Sequence, residues 1–112
     1  MATKEEVLDG LNKIKSKLDD PSLKEKFKDF KKQIQFTFPD INTNYVLEIV
    51  NGDAKSLKEK IIEKPDILVT IKSNIFLGII DKKLNPVTSY MTGKIKVKGA
   101  MCDLLKLQKI MF

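Results

Sequence analysis

The chain contains no histidine, no arginine and no tryptophan, and only one cysteine, Cys102. Each absence closes a route. Without histidine there is no Ser–His–Asp or Cys–His pair and no ordinary imidazole zinc site. Without arginine, no planar guanidinium fork can hold a phosphate or a guanine edge by two parallel hydrogen bonds. A lone cysteine forms no internal disulfide, the pattern of a reducing compartment. No apolar run approaches the roughly 18 residues of a membrane span. The opening Met1-Ala2-Thr3-Lys4-Glu5-Glu6 lacks an apolar signal core, so the expected location is cytoplasmic. Gly52, Gly78, Gly93 and Gly99 match no phosphate-loop spacing. The carboxylates are scattered among lysines, so no acid–base pair, metal cluster or cofactor site is expected.

What the chain does have is lysine. All 21 basic residues are lysines, set against 15 carboxylates for a net charge of +6. Their interleaving with Asp and Glu reads as solvated surface, with a transient pull toward anionic membrane of about 1 kcal/mol per lysine near the headgroups. Nucleic acid is not expected as a partner. The basic run Lys94, Lys96, Lys98 alternates with Ile95 and Val97, where a single-strand binder places aromatics. A length of 112 residues suits one domain, taken as 1–112, with no internal repeat or linker.

The periodicity of apolar residues changes along the chain. Thr3-Lys4-Glu5-Glu6 is a capping box, and Val7, Leu11, Ile14 and Leu18 form one stripe of an amphipathic helix. Asp19-Asp20-Pro21 stops it. Ser22-Leu23-Lys24-Glu25 reads as a second capping box, with Leu23, Phe27 and Phe30 at helical spacing. Ile34, Phe36 and Phe38 then alternate with polar residues, as in a half-buried strand. Tyr45 to Val50 is a strand closing on Asn51-Gly52, a two-residue hairpin signal. The segment after it fits a helix (Ala54, Leu57, Ile61) or a charged edge strand, and the hairpin favours the strand. Ile67 to Ile71 is another strand, and Ser73 is expected to cap a helix bearing Phe76, Leu77, Ile79 and Ile80. Pro86 suits the first position of a further helix and Gly93 its end. Lys94 to Lys98 alternates as a strand, and a last helix follows Gly99. The pattern is α+β: helices, a hairpin-built sheet, then helices.

The most specific stretch is Asn85-Pro86, Tyr90-Met91 and Gly93-Lys94-Ile95-Lys96-Val97-Lys98-Gly99, extended upstream to Pro65-Asp66 and downstream to Leu104-Leu105-Lys106-Leu107. It resembles the signature of the sterol carrier protein 2 (SCP2) domain. The resemblance implies an SCP2-like α+β fold, in which a five-stranded sheet is covered on one face by N- and C-terminal helices around a hydrophobic tunnel. It implies a non-catalytic carrier of a sterol, fatty acid or acyl-CoA. The expected lipid-binding group is Phe76, Leu77, Ile80, Val87, Tyr90, Met91, Ile95, Val97, Met101, Leu104, Leu105, Met111 and Phe112. Methionines suit such walls because a thioether adapts to ligands of different shape. The Tyr90 hydroxyl is a polar handle at the tunnel mouth, and Met111-Phe112 is either core or lid. Cys102 is expected as a small buried hydrophobe rather than a nucleophile. The alternative is an adaptor module of the same fold, its tunnel filled by side chains, acting on a separate protein. The oligomeric state is left open.

Overall fold

In the computed structural model the described residues run from Ala2 to Met111, and the side chains of Met101, Leu107, Gln108, Ile110 and Met111 are outside the description. The chain opens with α1 (Lys4–Lys17), where the Thr3 hydroxyl accepts from the Glu6 N–H and the Glu6 carboxylate accepts from the Thr3 N–H, the expected reciprocal cap. The next helix, α2 (Pro21–Lys26), does not begin on Ser22 as the sequence suggests. Asp20 is its cap, accepting from the Ser22 N–H at 2.8 Å, with Pro21 at the first helical position. A carboxylate accepts more strongly than a hydroxyl, so Asp20 takes the role. That hydrogen bond also holds the Asp20 pKa below the usual carboxylate value. Phe27 and Phe30 are buried, but they lie beyond the helix end and meet edge to face at 5.2 Å.

Three antiparallel strands follow: β1 (Lys31–Phe38), β2 (Thr43–Val50) and β3 (Asp53–Glu59). The Asn51-Gly52 turn between β2 and β3 has φ of 51° and 86°. Both central residues are left-handed, as a type I′ hairpin requires. At Gly52 a Cβ would also lie 2.8 Å from the Lys24 carbonyl oxygen. The segment left between helix and strand by its own spacing is therefore the strand β3. Next come β4 (Ile67–Ile71), α3 (Ser73–Ile80), α4 (Pro86–Met91), β5 (Ile95–Lys98) and α5 (Met101–Met111). The strand order is β3-β2-β1-β4-β5, with β1 and β4 parallel.

Alternation sorts the sheet into two faces. Ile34, Phe36 and Phe38 of β1, Tyr45, Leu47 and Ile49 of β2, Ile67, Val69 and Ile71 of β4 and Ile95 of β5 are buried on the helix side. Val7, Leu11 and Ile14 of α1 close over them, and α3 packs beneath α1. Gly10 is the contact point: a Cβ there would lie 2.8 Å from the Phe76 ring. The opposite face carries Gln33, Gln35, Lys96 and Lys98. It is crossed by residues 60–66, which carry the chain from β3 over β2 and β1 to β4. The Ile62 N–H donates to the Gln35 side-chain oxygen at 3.0 Å, and the Asp66 carboxylate accepts from the Gln33 N–H at 2.8 Å. Gln35 and its ladder partner Val46 are accordingly buried although they point away from the helices.

Ser73 is not the cap of α3. It is the first helical residue, and the cap position, Lys72, makes no side-chain hydrogen bond. Asp40, in the β1–β2 turn, supplies the missing acceptor: one oxygen takes the Ser73 N–H at 2.9 Å and the other takes the Ser73 hydroxyl. A carboxylate there also meets the positive end of the helix. Desolvation raises the Asp40 pKa, but the two Ser73 bonds outweigh it and leave the carboxyl below its ordinary value.

Candidate functional site

The expected lipid-binding residues of the second half of the chain differ widely in exposure, from core to water. Phe76 is fully buried beneath α1, its ring meeting Phe38 edge to face at 5.2 Å and Phe36 at a tilt at 6.2 Å. Ile95 of β5 is also buried. Leu77, Ile80, Val97 and Leu104 are half-buried and pack on the core from α3, β5 and α5. Val87, Tyr90 and Met91 of α4 and Leu105 of α5 then reach solvent, 49%, 52%, 80% and 55% exposed. Burying these four would remove large apolar surfaces from water. Phe112 and the side chains of Met101 and Met111 lie outside the described residues.

Local sequence explains why α4 is held so lightly. Asn85 caps it, its side-chain oxygen accepting from the Thr88 N–H, and Pro86 starts it. The helix lasts only six residues before Thr92 and Gly93 turn the chain, Gly93 with a φ of 79°. The Lys94 N–H returns to the Ser89 carbonyl at 2.8 Å and aligns β5 beside it. Ser89 is the one buried side chain of α4, and its hydroxyl bonds back to the Asn85 carbonyl. A polar residue faces the protein while apolar ones face water.

The sheet holds α5 through contacts that sequence reading missed. Asp103 is buried and pairs with Lys32 of β1 at 3.4 Å. One turn on, the Lys106 ammonium lies 5.4 Å from the centre of the Phe30 ring. The available signal was Lys32, which shares the inward alternation of Ile34 and Phe36; a charge at an inward strand position requires a partner. Leu84 was missed too. It fills the space over Gly78, where a Cβ would lie 2.6 Å from its Cδ1. Cys102 is exposed, contrary to expectation, because the Asp103 side of α5 is the one turned to the sheet. Lys94, Lys96 and Lys98 are exposed, as a solvated strand face requires. Among the described residues no helix is long and apolar enough to cross a membrane, and no cluster of three metal-ligating side chains occurs.

A profile described as the SCP-2 sterol transfer family matches residues 11–112. The chain belongs to this family. Its five-stranded α+β fold matches the solution structure of sterol carrier protein domain 2 of Helicoverpa armigera, with a TM-score of 0.74 at 24% identity over 98% of this chain and 90% of that one. The palmitated SCP2L2 of Aedes aegypti superimposes with a TM-score of 0.70 at 17% identity, covering 98% of this chain and 95% of that one. Among curated relatives, hydroxysteroid dehydrogenase-like protein 2 of Xenopus tropicalis is 32% identical over 68 residues, 61% of this chain and 16% of the relative. The chain thus matches a small part of that longer protein. Membership in the SCP-2 family supports lipid binding or transfer in general, and the family's domain is typically a non-catalytic module.

Proposed function

We propose that this protein binds one hydrophobic molecule, a sterol, fatty acid or acyl-CoA, against the apolar side chains of α3, α4, β5 and α5, and carries or presents it without chemical change. The observation that carries the reading is the gradient from Phe76 and Ile95 through Leu77, Ile80, Val97 and Leu104 to the exposed Val87, Tyr90, Met91 and Leu105. A ligand wedged along it would continue the core outward. The gain is about 0.8 kcal/mol per methylene removed from water, so six methylenes contribute about 5 kcal/mol. In this proposal the Tyr90 hydroxyl meets the ligand's polar end. The palmitated Aedes relative supports a fatty acid as one such ligand.

The test is native mass spectrometry of freshly purified protein, followed by solvent extraction and lipid identification. The expected result is a bound species, lost on denaturation, that palmitate, palmitoyl-CoA or cholesterol can replace. An unchanged apo mass after incubation with all three would overturn the carrier reading. It would favour the filled-core adaptor, a reading consistent with the buried contacts of Phe76 with Phe36 and Phe38.

A further inference from the structure

The strand register arranges the sheet face opposite the helices into rows of side chains. One row runs Lys98, Leu68, Gln35, Val46, Lys58 across all five strands. The next runs Lys96, Thr70, Thr37, Asn44 across four of them. Residues opposite one another in a ladder share a face, so each row lies on one surface. The 60–66 segment covers the middle of the first row, where Gln35 and Val46 are buried. It leaves the second row open: Thr70, Thr37 and Asn44 are half-buried and Lys96 is exposed. Lys98 and Lys58, on the two edge strands, are exposed as well. Neither row contains a carboxylate. Those of Glu48 and Asp66 are held at Gln33, the first accepting from its side chain and the second from its backbone N–H. The ion pairs among the described residues use Lys4, Lys13, Lys24, Lys28 and Lys32, and none draws on Lys58, Lys96 or Lys98.

We infer that the open row docks an extended acidic segment of a partner polypeptide, its carboxylates against Lys96, Lys98 and Lys58 and its backbone against Thr70, Thr37 and Asn44. The fold already shows how this face holds a segment lying across its strands. The Gln35 side-chain oxygen accepts from the Ile62 N–H at 3.0 Å. The same amide donates to the Thr37 hydroxyl at 3.1 Å, and Thr37 donates to the Asn44 side-chain oxygen at 2.8 Å. The hydrogen-bonded chain that begins under the crossing segment thus continues into the open row. With strands about 4.8 Å apart, the backbones of Lys98 and Lys58 lie about 19 Å from one another, the span of about six residues of extended chain. Lysines without carboxylate partners, set around hydroxyl and amide groups, complement acidic side chains spaced along such a segment. A fixed row of hydrogen-bonding groups suits a peptide backbone, whereas a fluid anionic leaflet asks only for charge. Neither row has an aromatic on which a nucleic-acid base could stack. This inference is independent of the lipid-carrier reading.

The test is NMR mapping of amide shifts in the full isotope-labelled chain. The probe is a short peptide alternating Glu and Ser, and the control peptide has Gln in place of Glu. The expected result is that the Glu peptide shifts amides around Lys96, Thr70 and Thr37, leaves those of α1 and α3 in place, and binds more weakly as salt is raised. The Gln peptide should shift none. Each exposed charge pair changes affinity by about two- to fivefold, so Lys58→Gln, Lys96→Gln and Lys98→Gln together should weaken peptide binding about tenfold or more. Lys82→Gln, Lys83→Gln and Lys109→Gln remove the same charge away from these rows and should leave peptide binding within about twofold. Thermal melts and fatty-acid binding should match the parent in both triple variants. No shifts with the Glu peptide, shifts confined to the helical layer, equal shifts with the Gln peptide, or equal loss in the two triple variants would overturn the inference. So would tighter binding of single-stranded DNA or of phosphatidylserine vesicles to the same row. A parent chain that binds no fatty acid, yet binds the Glu peptide as described, would remove the carrier reading and leave the docking row standing.

Discussion

Two regions of the molecule use apolar side chains in opposite ways. Around α1, β1, β2 and β4, the residues Val7, Leu11, Ile14, Ile34, Phe36, Leu47 and Ile67 are wholly withdrawn from water. Around α4 and the outer side of α5, residues of the same type stand half or more in solvent. Composition does not separate the regions; topology does. β1 is the middle strand and receives neighbours on both edges and a helical layer above. β5 is a four-residue edge strand beside a six-residue helix. The first region converts hydrophobic surface into stability. The second leaves it in contact with water.

The largest test of this contrast is truncation in the closed region. Phe36→Ala should cost about 3–5 kcal/mol of unfolding free energy, measured by urea denaturation, because the cavity beside Phe76 cannot collapse between sheet and helix. A loss below about 1 kcal/mol would mean that this core is looser than its burial indicates.

A smaller effect is expected where the two regions join. Asp40→Asn removes the carboxylate that caps α3 from the β1–β2 turn and should cost about 1–2 kcal/mol at neutral pH. The sign with pH follows from the lowered carboxyl pKa. Its contribution is complete above the unfolded value near 4 and is lost as pH falls through the lower folded value. Thermal melts of parent and variant should therefore converge below about pH 4. A gap independent of pH would show that packing, rather than charge, is what Asp40 supplies.

The smallest effect is the most informative. Met91→Ala should change stability by less than about 0.5 kcal/mol, since the side chain makes little contact to lose. The same denaturation assay reads it. A loss comparable to that of Phe36→Ala would erase the distinction between the two regions.

Much of this was legible in the sequence. The strands showed themselves by alternation, Ile34-Phe36-Phe38 and Ile95-Val97 most plainly, and α1 by its Thr3–Glu6 box. The Asn51-Gly52 turn decided β3 where side-chain spacing alone did not. Errors came where a local rule competed with a distant partner. Ser73 looked like a cap because nothing in its neighbourhood reveals Asp40, and Ser22 lost its role to a stronger acceptor two residues before it. The candidate site was legible as a group, but its gradient was not. Apolar residues on short helices look alike in sequence whether they face core or solvent, and the burial of Phe76 against the exposure of Met91 depends on which neighbours the sheet order brings.

The passage of residues 60–66 across the sheet has a consequence for a chain emerging from the ribosome. The antiparallel trio β1–β2–β3 is fully synthesised by Glu59, yet one edge of β1 has no strand to pair with until Ile67 to Ile71 has been made. For that interval an open edge of sequence Lys31-Lys32-Gln33-Ile34-Gln35-Phe36-Thr37-Phe38 can template pairing with another nascent chain. Its two leading lysines act as gatekeepers, since like charges stacked in register oppose such a pairing. The inward Lys32 thus guards the unfinished sheet before Asp103 exists to neutralise it.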